Sequence, residues 1–317
     1  MSTSSPSFAV VGAGAVGTYY GARLAQHGHA VHFLLRSDYA AVRQNGLTIR
    51  SPRGDFSLPP GQLHIYDSAP KMPPVDVVLV TLKTTSNAFY APLISPLLHQ
   101  NTAILTLQNG LGNEDQLAAL FGPRRILGGL AFTCINRIAP GEIEHLAHGH
   151  IKLGEFLEGP SPRAAGLAQL FAASNIECEM LPSLRFGRWE KLVWNVPFNG
   201  LSAALDLTTD RILATPGGVE LVRQIMAEVL AAARADGVTL PEHLIQSNID
   251  RTMNMGAYRT SMHVDRTLGR PMEVEAILGE PVRAAQRAGI AVPHMQQLYT
   301  LTAMIASQFS GVPTGRP

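Results

Sequence analysis

In the first half of the chain, short runs of consecutive Val, Ile and Leu alternate with segments whose apolar residues recur every three or four positions. The runs Phe8–Gly12, Ala30–Leu35, Val75–Leu82, Ala103–Leu107 and Arg125–Ala131 read as strands. Ala15–His27, Thr84–Leu98 and Asn113–Phe121 read as helices between them. Strands that are apolar at nearly every position are buried on both faces, and such strand–helix alternation points to a parallel sheet covered by helices. "LTIRSPRGDFSLP" (Leu47–Pro59) predicts a β-hairpin around a Pro-Arg-Gly-Asp turn, and "GEIEHLAHGHIKLGE" (Gly141–Glu155) alternates like a second hairpin. A helix from about Pro162 and a short strand, Ile176–Glu179, complete this half. From about Ser183 no strand pattern is found. Helical periodicity covers Leu184–Leu205, Gly218–Asp236, Pro241–Met255, Met272–Ala288 and Pro293–Gln308. No internal repeat is present.

The turn after the first strand narrows the chemistry. "GAGAVG" sets Gly12, Gly14 and Gly17 in G-x-G-x-x-G spacing, directly after a strand and at the opening of a helix, which is the context that gives this motif meaning. Gly12 permits the tight turn, Gly14 lets backbone approach a pyrophosphate, and Gly17 lets helix and strand pack closely. Ala15 and Val16 complete the turn, and the helix start offers free N–H groups and a positive dipole end to phosphates. The second strand ends in Arg36, where an NAD site would carry Asp or Glu. An arginine fork suits a 2′-phosphate, so the expected cofactor is NADP(H) rather than NAD or a flavin. Asp38 reads as the N-cap of the next helix. The expected fold class is therefore α/β: an N-terminal Rossmann-type dinucleotide-binding domain over residues 1–182, then an all-α C-terminal domain over 183–317. The second domain would carry the substrate and catalytic groups, and the substrate would lie in a cleft between the two.

Composition adds exclusions. The 317 residues are 46% hydrophobic, with 25 basic and 24 acidic side chains and a formal net charge of +1. That balance predicts neither a nucleic-acid partner nor an acidic membrane partner. Cys134 and Cys178 have no metal or redox spacing, and "MSTSSPSF" has neither basic residues nor an apolar segment, so a reduced, cytoplasmic setting without a secretion signal is expected. No apolar run approaches the ~20 residues of a membrane span. Only four of the basic residues are lysines: Lys71, Lys83, Lys152 and Lys191. A lysine kept in so arginine-rich a chain is a candidate for a role that arginine cannot fill.

Lys191, Asn195 and Asn199 are spaced four apart. On a helix each step of four turns about 40°, so the three fan across one face of an otherwise apolar segment that contains Trp189, Trp194 and Phe198. Pro197 should kink that helix and free a carbonyl near the amides. A solvated face with a snorkelling lysine is the plain alternative. The functional reading is ketone reduction, in which an ammonium stabilises the developing oxyanion and donates the proton. Asn109-Gly110 and Lys83 each follow a strand, at the carboxyl end of the sheet where open α/β folds bind ligands.

Several motifs together resemble the ketopantoate reductase (2-dehydropantoate 2-reductase) family over nearly the whole chain. They are "VGAGAVG…LLR", "VTLKTT" (Val80–Thr85), "LQNGLGNED" (Leu107–Asp115), "WEKLVWNVPFNGLSAA" (Trp189–Ala204) and "SMHVDRTLGRPMEVEAILG" (Ser261–Gly279). The resemblance implies Lys191 as the catalytic lysine, with Asn195 and Asn199 as substrate contacts. It implies Lys83 and Asn109 near nicotinamide and substrate, Ser261 on the substrate carboxylate, and Glu273 as an acid supporting both reaction and cofactor. The last motif departs from the family pattern at Val264, Glu275 and Leu278, where Gln, Asp and Asn are usual.

Three functions follow for comparison. The first is NADPH-dependent reduction of a small 2-oxoacid, 2-dehydropantoate above all. The second is a related reductase or dehydrogenase for another oxoacid, and the third a non-catalytic NADP(H)-sensing module. Lys191 with Glu273 argues against the third, since a sensor needs no proton donor. A homodimer is compatible with all three. No metal is expected: His145, His148 and His150 have no acidic or cysteine partner in ligand spacing. His27, His29 and His32 read as helix-end and surface residues, and Glu177 and Glu179 as solvated edge positions.

Overall fold

A computed structural model describes residues 5–157 and 159–309. The Val, Ile and Leu runs at the centre of the sheet form strands because nearly every side chain in them is removed from water. All four residues of β1 (Phe8–Val11) are buried, as are five of six in β6 (Val75–Val80). Each fully buried side chain of this size contributes about 1.5–3 kcal/mol.

The sheet half runs β1, α1 (Ala15–Gln26), β2 (Val31–Leu34), α2 (Tyr39–Asn45), β3 (Leu47–Arg50), β4 (Phe56–Leu58), β5 (His64–Tyr66) and β6. It continues through α3 (Tyr90–Ile94), β7 (Leu98–Thr106), α4 (Asn113–Phe121), β8 (Ile126–Ala139), β9 (Glu142–Glu155), α5 (Pro162–Ala173) and β10 (Cys178–Met180). The described strands form one sheet in the order β4-β3-β9-β8-β7-β6-β1-β2-β5, with β10 beside β9. β1 pairs in parallel with β2 on one side and β6 on the other. The strand order therefore reverses at β1, the switch point at which such sheets bind ligands.

Four expectations change here. Gly141–Glu155 is not a hairpin by itself; β9 is one strand paired antiparallel with β8, and their turn lies at Pro140-Gly141. Alternation reports one buried face and cannot say where the partner strand lies. The segment Thr84–Leu98 is not one helix. It is a 3₁₀ turn (Thr84–Phe89), α3, a second 3₁₀ turn (Ser95–Leu97) and then β7; Pro92 falls in the first turn of α3, where no donor is needed, and Pro96 lies in the turn that follows its end. Asp38 precedes α2 but caps nothing with its side chain, which binds Arg137 and the Gly141 N–H instead. The segment Met272–Ala288 splits into a π-helical turn (Glu275–Gly279) and a following α-helix. The short β5 carries too few residues to show a period and was not foreseen, whereas α2 is the helix expected after Asp38.

The helical half holds α6 (Leu184–Leu205), α7 (Thr209–Ala214), α8 (Gly218–Ala235), α9 (His243–Met253), α10 (Ser261–Thr267), α11 (Glu280–Arg287) and α12 (Pro293–Ser307). Among the described residues no strand follows Met180. Its core joins Val193 and Val196 of α6, Ile225 and Val229 of α8, Ile249 of α9, Val282 of α11 and Leu298 of α12. No described helix is long and apolar enough to cross a membrane. The chain groups into two compact units: one runs to Gln108 and resumes at Asn113–Leu184, the other takes Asn109–Gly112 and everything from Arg185.

Candidate active site

In the sheet unit the glycine turn behaves as its spacing demands. Gly12 has φ +101°, and a Cβ there would lie 2.3 Å from the Leu82 nitrogen. A Cβ on Gly17 would lie 2.3 Å from Thr81 Oγ1 and 2.7 Å from the Gly12 carbonyl oxygen. The turn is tied by Gly14 N–H donating to the Gly12 carbonyl at 2.6 Å and by the Thr81 hydroxyl donating to the same oxygen at 2.8 Å. Gly14 differs: the nearest atom to its would-be Cβ is 3.9 Å away. Its missing side chain relieves no internal crowding, so it leaves a cradle open toward the α1 N-terminus, where Ala15 and Val16 begin the helix. These residues fit a dinucleotide pyrophosphate. Arg36, at the end of β2, and Lys83, just before the 3₁₀ turn after β6, are both exposed.

The end of β7 is held by a buried polar network that pattern reading missed. The Gln108 side-chain oxygen accepts from Tyr90 Oη at 2.5 Å and Thr106 Oγ1 at 2.9 Å, and its amide donates to Asn87 at 2.9 Å. The residue that follows is Asn109, which the sequence reading assigned to the first domain. The structure groups Asn109–Gly112 with the helical unit: Leu111 N–H donates to the Ala276 carbonyl at 2.9 Å. Gly110, at φ +87°, has room for no Cβ against that same carbonyl.

Within the helical unit, α6 is anchored by both its tryptophans. Trp189 Nε1 donates to Asp236 at 2.8 Å and Trp194 Nε1 to Thr252 at 2.9 Å. The helix runs unbroken through Pro197. Lys191 Nζ donates to Asn109 Oδ1 at 2.8 Å. Its pKa is lowered to about 7, chiefly by burial and next by the nearby Arg188 cation, while Glu273 pulls the other way. Arg188 is buried at 4% exposure, three residues before Lys191 and so on the same helix face. The i−3 spacing was the signal, masked by the habit of reading arginines as surface residues.

Asn199 Oδ1 accepts from Ser261 Oγ at 3.4 Å and from Met262 N–H at 3.3 Å. Ser261 is placed by its neighbour Thr260, whose hydroxyl caps α10 by accepting from His263 N–H and also bonds Ser202 at 2.6 Å. Asn195 is nearly buried, yet its side chain bonds no described residue, which leaves a directed donor and acceptor for something else. Glu273 is buried two residues before the π turn, a distortion that often marks functional positions. Thus Asn109, Lys191, Asn195, Asn199, Ser261 and Glu273 all belong to the helical unit, and the glycine turn, Arg36 and Lys83 to the sheet unit.

Residues 8–158 match the family model for ketopantoate reductase PanE/ApbA, and residues 183–306 match that for its C-terminal part. The chain belongs to the ketopantoate reductase family. That makes it an oxidoreductase. The 2-dehydropantoate 2-reductase of Nostoc sp. is 44% identical over 297 residues, covering 92% of each chain. The crystal structure of 2-dehydropantoate 2-reductase from Geobacter metallireducens superposes with a TM-score of 0.91 at 47% identity, over 94% of this chain and 99% of that one. The one from Methylococcus capsulatus gives 0.88 at 38% identity, over 98% and 100%.

The departures from the ketopantoate reductase pattern fall outside the polar face of α6. Glu275 is on the surface, paired with Arg283 at 2.8 Å and accepting from Tyr299 Oη at 2.9 Å. Leu278 is buried in the apolar core. Two of the altered positions therefore serve the helical scaffold.

Among the described residues no cluster of metal-binding side chains occurs. His145 bonds Ser51 and the Ala147 carbonyl. His27 bonds the Arg23 carbonyl at the end of α1. Glu177 and Glu179 form exposed ion pairs with Arg53 and Lys152.

Proposed function

We propose that this chain reduces 2-dehydropantoate to pantoate with NADPH, a 2-oxoacid to its 2-hydroxy acid. The observation that carries the reading is Lys191: a half-buried ammonium, bonded to Asn109, whose pKa lies near neutrality. Bound in the glycine turn, NADPH supplies the hydride that reaches C2 of the substrate. The sheet unit holds that cofactor through Gly12, Gly14, Ala15, Val16 and Gly17, with Arg36 on its 2′-phosphate and Lys83 near its nicotinamide end.

The rest is work for the helical unit. As C2 gains the hydride, the ketone oxygen gains negative charge and needs a donor already in place. Asn109 accepts an N–H of Lys191 and so helps to orient the ammonium. Lys191 gives its proton to the oxygen and regains one from solvent. Donation at neutral pH requires an acid whose pKa lies near 7, and burial beside Arg188 provides it. The Glu273 carboxylate opposes that shift and keeps part of the population protonated. Ser261 and Asn199 hold the substrate carboxylate, and the unengaged amide of Asn195 takes its hydroxyl.

Steady-state assays with NADPH and 2-dehydropantoate test this. Lys191→Ala should cut turnover by about 10²–10⁴ with NADPH affinity nearly unchanged. Lys191→Arg should rescue poorly, because a guanidinium does not give up its proton. If Arg restores turnover and only KM suffers, Lys191 is an anchor for a negative group and the mechanism is wrong.

A further inference from the structure

Selection of the 2′-phosphate draws on more than Arg36; this step rests on the NADPH reading above. Two residues beyond Arg36 stands Asp38, close to where an NAD-type site carries the acid that accepts from the ribose 2′-hydroxyl. In this chain that carboxylate is already spent. Its Oδ1 accepts from Arg137 at 2.5 Å and from the Ser37 hydroxyl at 2.8 Å. Its Oδ2 accepts from the Gly141 N–H at 3.3 Å, and the residue is 6% exposed. Arg137 comes from β8, far along the chain, and the β8–β9 turn that carries Gly141 meets the end of β2 at this point. The same Arg137 nitrogen also donates to the Ser37 hydroxyl at 3.3 Å. Its side chain is still 36% exposed, and its other guanidinium nitrogens bond nothing among the described residues.

We propose that Arg137 is a cofactor-specificity residue: by holding Asp38 in an ion pair it denies the ribose an acidic acceptor and leaves the end of β2 positively charged for a 2′-phosphate. With Arg137 present, the end of β2 carries two cations, Arg36 and Arg137, against the one anion of Asp38. Without it, Arg36 and Asp38 cancel, and the freed carboxylate repels a phosphate while offering an acceptor to a 2′-hydroxyl. Arg36 alone then no longer decides the cofactor.

Binding titrations of the full chain test this without turnover. NADPH and NADH are followed by nicotinamide fluorescence, and adenosine 2′,5′-bisphosphate against adenosine 5′-monophosphate by calorimetry. Arg137→Ala should reduce the NADPH-to-NADH affinity ratio by about 10–100-fold. Arg137→Gln, which keeps a donor to Asp38 but not the charge, should shift the ratio the same way and guards against a folding defect. Adding Asp38→Asn to Arg137→Ala should restore most of the ratio. An unchanged ratio, an equal loss of both cofactors, or no restoration by Asp38→Asn overturns the proposal. If Arg36→Ala abolishes discrimination while Arg137→Ala leaves it intact, this inference falls alone. A wild type with no preference for NADPH overturns it together with the cofactor reading.

Discussion

At Gly12 a single methyl group would sit 2.3 Å from a backbone nitrogen. On α6, two asparagine amides are kept almost wholly out of water beside a half-buried lysine ammonium. One half of the machinery is defined by side chains that are missing, the other by polar side chains kept where apolar ones would pack more cheaply. The glycine turn needs space for backbone, so its tolerance is steric and local. The α6 face holds polar groups in fixed directions, so its tolerance depends on partners on other elements: Asn109 for Lys191, Ser261 and Met262 for Asn199.

The largest effects should come from separating two glycines. Gly12→Ala combines a backbone clash with a positive φ and should cost about 3–4 kcal/mol of stability in urea unfolding. Gly14→Ala has open space around its Cβ and should leave stability within about 0.5 kcal/mol. It should nevertheless weaken NADPH binding by roughly 10–100-fold, because the methyl fills the approach of the pyrophosphate. Equal stability losses in the two variants would remove the distinction between a fold glycine and a ligand glycine.

A smaller contrast separates the asparagines. Asn199→Ala strands the Met262 N–H and should destabilise by about 1–3 kcal/mol. Asn195→Ala breaks no bond in the free protein, so its effect should appear as KM raised roughly tenfold with the melting temperature unchanged. A large fall in melting temperature for Asn195→Ala would show that its amide is structural.

The subtlest test is the pH profile. With the proton donor near pKa 7, kcat/KM for reduction should fall as pH rises through about 7. Arg188→Met should move that limb upward and Glu273→Gln downward, since the first cation lowers the Lys191 pKa and the carboxylate raises it. Stability carries the opposite signature. The folded pKa is below the unfolded one, so from pH 7 to 10.5 the unfolded chain holds the proton more tightly. Stability from this group should rise with pH through that window, and Lys191→Met should flatten the rise.

Much of this arrangement was legible beforehand. The strands of the sheet's centre announced themselves because burial on both faces leaves unbroken apolar runs. The boundaries of α4 and α6 match the periodicity residue for residue. Of the motif positions, Lys191 bonds Asn109 and Asn199 bonds Ser261, two separate contacts. What could not be read were the long-range choices. Nothing local tells β9 that its partner is β8, or tells Asp38 that an arginine near residue 137 will take its carboxylate. The unpaired state of Asn195 and the burial of Arg188 likewise depend on which other elements pack around α6.

The four residues Asn109–Gly112 leave the sheet unit, join the helical one and return at α4. The chain therefore passes between the two units three times, where a simple tandem would pass once. A chimaera cut only at residue 184 would deliver Lys191 to a host without its own Asn109 and would mismatch the Gly110–Ala276 approach. Any exchange of catalytic halves between relatives must move residues 109–112 along with the helices, and inherited variation in that short loop is expected to follow the far end of the protein rather than its immediate neighbours in sequence.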